Sequence, residues 1–267
     1  MTFTHHTMQE ILDILQNSLK SAPSISFNVL DPDLVNAYAG YEMIIDETTY
    51  IHRSYKAWSD LAELLMCKML TPKVTDHPYV TLRFEKLKED ESFHLETDSS
   101  REEKYGVDSS FFQINKMEEP AFLYYYRQAL QNVKVSQRSA ILNLGINRGD
   151  EFDVIKKSVD TDIYSKMDLV GIDHSRSAIA YAKNAFPEKN VTFYAQDIND
   201  LESLNLDRFD LLISIGTLQS PSINFKPFFM SLVQNYLKKD AAIILGFPNC
   251  RWVGGEMIYG AKAPNYT

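Results

Sequence analysis

Residues 139–152 read SAILNLGINRGDEF, and the reading of this stretch decides the fold. Ala140 to Leu144 make a short, mostly apolar run of strand length, Gly145 and Gly149 frame a turn, and Asp150, Glu151 and Asp153 open a helix. A strand that stops at a glycine turn and restarts as a helix is the corner at which dinucleotide sites hold a pyrophosphate. The GxGxxG form of that corner needs glycines at 145, 147 and 150, and this chain has Asn147 and Asp150 in the last two places. The acidic helix start would also repel phosphate. A cofactor without phosphates and with positive charge meets no such repulsion.

Strands and helices alternate downstream. DLVGID (168–173), VTFYAQD (191–197), FDLLISIG (209–216) and AAIILGF (241–247) have strand length and are apolar. SRSAIAYAKNAF (175–186) and FKPFFMSLVQNYL (225–237) have helical spacing. This is the pattern of an α/β, doubly wound, mostly parallel sheet covered on both faces. Such sheets bind ligands beyond the C-terminal ends of their strands. The diagnostic residues are therefore Gly145–Gly149, Asp173 and His174, Asp197 and Ile198, and Ser214 to Leu218. Taken singly, Asp173 reads as a cap for the helix of 175–186 and Asp197 as a turn cap. Taken as an ordered set, they read as a cofactor site.

Over about residues 120–248 this set resembles the class I S-adenosylmethionine-dependent methyltransferases, whose Rossmann-like sheet carries a GxGxG loop after its first strand. The resemblance implies that Asn143, Gly145, Asn147, Gly149, Asp173, His174, Asp197, Ile198, Ser214 and Gly216 bind S-adenosyl-L-methionine. In it, Gly145 to Gly149 approach the methionine part and Asp173 accepts from the ribose hydroxyls. His174 lies beside the adenine, Asp197 accepts from its amino group and Ile198 packs on its ring. The chain departs from the family at two places. Asn143 stands where an acidic residue is common, which removes a charge pairing, and Asn147 replaces the middle glycine. Asparagine tolerates positive φ, so the turn is expected to survive, and Asn147→Gly to leave cofactor binding unchanged or improved.

The first half has another rhythm. Met8, Ile11, Leu12, Leu15 and Leu19 are helically spaced behind a Thr7/Glu10 capping box. A second helix is expected over Glu47–Leu70, stopped by Thr71-Pro72, and YVTLRF (79–84) with FHLET (93–97) suggests a hairpin. The polar stretch 96–106 marks the boundary, giving an N-terminal helical and hairpin substrate or lid domain, 1–104, and a cofactor-binding domain, 105–267. Before the sheet, EEPAFLYYYRQALQNV (118–133) reads as a helix with Phe122, Tyr125, Tyr126, Ala129 and Val133 on its apolar face. Tyr105, Phe111 and Phe112 are the candidate substrate contacts. The tail after 247 is too short for the further strand, helix and strand with which family members finish. The chain is thus either a fragment or has a sheet short at its C-terminal edge, covered by the N-terminal half or by a second copy in a homodimer.

Composition narrows the function. Cys67 and Cys250 are the only cysteines, without a CxxC or Cys/His cluster, so neither a zinc site nor a disulfide framework is indicated. A net charge of -9 disfavours nucleic acid, and no apolar run reaches the ~20 residues of a membrane span. A cytoplasmic protein with a small-molecule partner is expected. The end of the fourth strand, SIGTLQSP, lacks the Asn/Asp-Pro-Pro-Tyr motif common in methylation of base or amide nitrogens. No catalytic base is identified; His52, His77 and His94 read as surface or packing residues. The leading reading is methyl transfer from S-adenosylmethionine to a small molecule by in-line displacement. The alternatives are a non-catalytic binding or scaffold protein on the same fold and, third, a nicotinamide oxidoreductase.

Overall fold

A computed structural model describes residues 1–88 and 103–259 of the 267-residue chain. They form two compact units, one from 1–88 with 250–259 and the other from 103–249.

The first unit is built on helix α1 (Met8–Leu19) and strand β1 (Ser24–Leu30). Thr7 caps α1, and its capping box with Glu10 is present as the spacing predicts; Ile11, Leu15 and Leu19 form the buried stripe. Between Glu47 and Leu70 the structure replaces one long helix by three elements. Strand β2 (Glu42–Ile45) turns through Asp46 and Glu47, both at positive φ, into β3 (Thr48–Ile51). Helix α2 (Tyr55–Leu64) starts only at the Ser54 cap and ends before Met66, at φ 54°. Strand β4 (Cys67–Met69) follows, so Thr71-Pro72 stops nothing helical. The short β5 (Lys73–Val74) and the long β6 (Tyr79–Lys86) complete the unit. The expected partner of β6 at 93–97 lies outside the described residues. The pairing observed is with β1, antiparallel, with Phe27 opposite Leu82 and Val29 opposite Val80; β4 and β5 also pair with β6.

The second unit opens with two short 3-10 turns, 110–113 and 116–118, and helix α3 (Pro120–Asn132), which has Pro120 in its first turn. Its buried side is Tyr126 and Leu130; Tyr125, expected on the apolar face, is 66% exposed. The alternation then runs β7 (Ala140–Leu144), α4 (Asp150–Ser158), α5 (Thr161–Tyr164), β8 (Asp168–Asp173), α6 (Arg176–Ala185), β9 (Val191–Ala195), β10 (Phe209–Ile215), α7 (Phe225–Ser231) and β11 (Leu237–Gly246). A 3-10 segment, 198–204, joins β9 to β10. All neighbouring strands are parallel, in the order β11-β10-β7-β8-β9. The chain thus steps outward from β7 to β9 and then returns to β10 on the other side. This reversal places a crevice at the C-terminal ends of β7 and β10.

Both faces of the sheet are covered, so its strands read as continuous apolar runs. Ile141, Leu211 and Ile213 pack with Tyr126 and Leu130 of α3, Phe152 and Ile155 of α4 and Ile179 of α6. Leu142, Leu144, Ile172 and Leu212 pack on the opposite face with Ile198, Leu201 and Leu232. Each such side chain contributes roughly 1.5–3 kcal/mol through burial. Beyond β11, strands β12 (Cys250–Val253) and β13 (Glu256–Tyr259) form an antiparallel hairpin of their own. The tail was expected in the second domain, but this hairpin belongs to the first unit, where Val253 and Ile258 bury against Leu87 and Met66.

Candidate functional site

Three residues of the loop after β7 are left-handed: Gly145 at φ 80°, Asn147 at φ 46° and Gly149 at φ 95°. Asn147 therefore takes the conformation that was expected of it. A Cβ at Gly145 would overlap Thr217, and one at Gly149 would stand 2.5 Å from the Phe186 ring. These glycines let β10's end loop and α6's last turn close onto the turn. The Asn147 main-chain N–H donates to Asp173 Oδ2 at 3.0 Å, joining the ends of β7 and β8.

Asp173 ends β8 with 5% exposure. Its Oδ1 accepts from the Ser175 N–H at 3.0 Å, and His174 Nδ1 lies 3.5 Å from the same oxygen. Burial pushes its carboxyl up, against the lowering effect of the Ser175, His174 and Asn147 donors. The cap of α6 is Ser175, whose hydroxyl accepts from the Ala178 N–H, so Asp173 organises the turn before the helix instead of capping it.

Residues 103–113 lie on this turn. Glu103 accepts from both the N–H groups and the side chains at the α6 N-terminus, with Ser175 Oγ at 3.1 Å and Arg176 N at 3.1 Å. The Tyr105 carbonyl accepts from Asn147 Nδ2 at 2.8 Å, and its ring stands edge-on to His174 at 5.9 Å and to Phe111 at 4.8 Å. Phe112 is buried beneath Arg148, which donates to its carbonyl at 3.1 Å, and packs on Tyr181. The three aromatic candidates are thus gathered at the end of β8.

The remaining sequence candidates are placed differently. Asp197 accepts from the Asn199 N–H at 2.8 Å and opens the 198–204 segment, its side chain exposed at the end of β9. Ile198 is in the core, 8% exposed. Ser214 is buried within the sheet, where its hydroxyl donates to the Leu144 carbonyl at 3.0 Å and ties β10 to β7. Asn143 is 1% exposed, and its Nδ2 has no hydrogen-bond partner among the described residues. His52 is a buried packing residue, and His94 lies outside the described residues. Tyr124 is 63% exposed, leaving Tyr126 as the core member of that run.

Two residues near the crevice were given no site role by the sequence. Lys116, in the turn capped by Asn115, carries its ammonium to 3.1 Å from where a Cβ at Gly216 would stand. Glu151, in the first turn of α4, is partly buried, and burial pushes its carboxyl up to about 7 despite the charge of Lys116. The Glu151 carbonyl accepts from Tyr126 Oη at 3.2 Å. Glu151 was visible only as part of an acidic helix start, and Lys116 belongs to no motif, since a turn before α3 brings it to the end of β10. Among the described residues no group of His, Cys, Asp and Glu is arranged to hold a metal ion, and no helix is long and apolar enough to cross a membrane.

Residues 157–254 match the family model described as a methyltransferase domain, a span that begins after the glycine turn and contains the ends of β8, β9 and β10. Among solved structures, the chain is similar to the plantazolicin methyltransferase BpumL in complex with SAH, at 21% identity, covering 54% of this chain and 55% of that one with a TM-score of 0.42. Another is coclaurine N-methyltransferase bound to N-methylheliamine and SAH, at 13% identity over 58% of this chain and 39% of that one, with a TM-score of 0.39. A third, StiE O-MT residues 961-1257, has 14% identity over 47% and 43%, with a TM-score of 0.39. The chain thus spans about half the length or less of these solved chains. No curated protein matches the chain. Residues 157–254 are thus similar to a methyltransferase domain, and they lie on a parallel sheet whose strand order reverses between β7 and β10, with the glycine turn after β7 just before the matched span.

Proposed function

We propose that the chain transfers a methyl group from S-adenosylmethionine to a small-molecule acceptor. The observation that carries this reading is the chemistry gathered at the crevice between β7 and β10. A buried amide without a partner, Asn143 Nδ2, stands on β7, and Gly216 opens toward the Lys116 ammonium at the end of β10. Asp173 supplies a carboxylate at the end of β8. A cation, carboxylates and a spare donor around a glycine opening suit a zwitterionic nucleoside with a sulfonium, and the acidic start of α4 suits positive charge better than phosphate.

In this reading Asp173 takes the ribose hydroxyls, the Gly145–Gly149 turn lies along the amino-acid part, and His174 and Asp197 flank the adenine. Bound S-adenosylmethionine supplies an electrophilic methyl carbon that leaves its sulfur as a neutral thioether. The chain's own contribution is to hold the acceptor in line and exclude water, and proximity supplies much of the rate. The edge-on packing of the Tyr105 ring against Phe111 and His174 supports giving this role to Tyr105 and Phe111. A net charge of -9 supports a small acceptor over nucleic acid. Cys67 and Cys250 are not in a disulfide, in keeping with a cytoplasmic setting.

A second reading, a non-catalytic binding protein on the same fold, is favoured by one observation. Asp173 is 5% exposed and both its oxygens already accept main-chain N–H groups. Thermal shift with S-adenosylmethionine, S-adenosylhomocysteine and NAD separates the readings. Stabilisation by the first two alone supports the methyltransferase, stabilisation by NAD alone overturns it, and none by any of them favours the binding protein. Asp173→Ala should then abolish S-adenosylhomocysteine binding in calorimetry. Asp173→Asn, which keeps an acceptor for the Asn147 or Ser175 amide, separates loss of binding from loss of fold.

A further inference from the structure

The family acid before the glycine turn is Asn143 here, so the charge that would meet the cofactor's ammonium has to come from elsewhere in the chain. Strand alternation puts Asn143 on the same face of β7 as Ile141, the face covered by α3 and α4. The first turn of α4 carries Glu151, whose main-chain carbonyl accepts from Tyr126 of α3 and whose carboxyl feels the charges of Lys116 and Asp173. Just before α3, Lys116 reaches across to Gly216 at the end of β10. Among the described residues Lys116 forms no ion pair, only a contact with the Phe122 ring at 5.9 Å. Gly216, at φ 71°, has nothing but Lys116 Nζ and Gln219 Nε2 within reach of a Cβ, so the space over it is open toward a cation. Lys116 thus stands at the crevice, Glu151 is near enough for the two charges to act on each other, and Asn143 adds an unused buried amide on β7.

We infer that Lys116 and Glu151 are the two arms of a clamp for the amino-acid end of S-adenosylmethionine, Lys116 taking the carboxylate over Gly216 and Glu151 taking the ammonium. The inference rests on the cofactor reading above. Asn143 Nδ2 is the neutral donor left over for the same carboxylate. The groups around Glu151 agree with this role. Asp150 and Asp173 are like charges, Asp150 is already engaged by Arg148 at 3.1 Å, Tyr126 is a buried neutral phenol, and Lys116 is the opposing cation. Glu151 is therefore a carboxylate that the fold leaves under-compensated, and an arriving ammonium would favour its ionised form.

Calorimetry with two probes tests the clamp: S-adenosylhomocysteine, which has the amino-acid end, and 5′-methylthioadenosine, which lacks it. Wild type should bind the first at least about tenfold more tightly, since each charge-assisted hydrogen bond is worth that much or more. Glu151→Gln and Lys116→Met should each lose about tenfold for S-adenosylhomocysteine while binding 5′-methylthioadenosine as wild type does. Raising the pH from about 6 to about 8 should widen the wild-type preference as Glu151 ionises, and Glu151→Gln should show no such change. Both probes report binding, so a fall in affinity for both would indicate damage to the fold and would overturn the clamp. Wild-type affinity for S-adenosylhomocysteine in both variants would overturn it while leaving the cofactor reading intact. Wild type that binds neither probe would sink the cofactor reading itself.

Discussion

Asp210, at the N-terminal end of the sheet, and Glu151, at its C-terminal end, are both partly buried carboxylates, and the fold holds them in opposite ways. Asp210 accepts from the Ser139 N–H at 2.9 Å, the Ser139 hydroxyl at 2.6 Å and the Ala140 N–H at 3.1 Å, with Lys238 Nζ at 3.6 Å. Burial works to raise its carboxyl, but these donors outweigh it and hold the group below its ordinary range. Glu151 has burial as its first influence too, and there burial wins. The charge at one end is answered inside the chain and stabilises it. The charge at the other has no comparable set of donors among the described residues, and this is the carboxylate that the proposed clamp would use.

The largest expected effect breaks the answered end. Asp210→Ala should cost about 2–4 kcal/mol, since it leaves several donors without a charged acceptor, and should leave S-adenosylhomocysteine affinity unchanged. An affinity loss as large as the stability loss would erase the distinction between the two ends. In wild type this contribution is present above pH 3.8, the ordinary Asp value, and is lost as pH falls through the lower folded-state value. Chemical denaturation at several acid pH values checks that sign.

Gly149→Ala comes next. It forces an alanine to φ 95° and a Cβ to 2.5 Å from Phe186, a strain of about 1–3 kcal/mol that should appear as a lower melting temperature. Glu151→Gln should act in the opposite direction and stabilise. Because the folded carboxyl titrates at about 7 and the unfolded one near 4.5, the folded state holds the extra proton between these values and wild type loses stability as pH rises through them. The variant should gain about 1–2 kcal/mol at alkaline pH and nothing below the unfolded value. A stability difference independent of pH would show that Glu151 is not under-compensated. The smallest effect belongs to Asn147→Gly. It removes the bond to the Tyr105 carbonyl but relieves a left-handed side chain, so the net loss should be below about 1 kcal/mol, with cofactor affinity unchanged or improved.

How far the sequence could be read differs between the two units. Strands β7 to β11 were legible because parallel strands buried on both faces are short apolar runs, and the helices between them carry their own punctuation. The region 47–70 was not, because Ile51, Tyr55 and Trp58 fall at helical spacing by coincidence of a strand end and a helix start. The turn at Asp46 and Glu47 uses two side chains at positive φ where glycine or asparagine would have signalled it. The pairing of β1 with β6 joins positions as distant as Ser24 and Glu85, and no local pattern announces it. At the site, the glycine turn and the strand ends could be named in advance. Lys116 and Thr217 could not, since each matters only through what it meets: Lys116 the opening at Gly216, and Thr217 the space a side chain at Gly145 would need.

Glu103 has a consequence for what the crevice excludes. Its carboxylate sits on the α6 N-terminus and takes the N–H groups of Arg176 and Ser177 and both serine hydroxyls. These are the donors a phosphate would seek beside Asp173. An adenine nucleotide phosphorylated on its ribose would have to evict a carboxylate from its own chain and then face Asp173 as well. On the cofactor reading proposed above, Glu103 is an internal anion standing where such a phosphate would go, which would bias the crevice toward adenosine ligands whose ribose is bare.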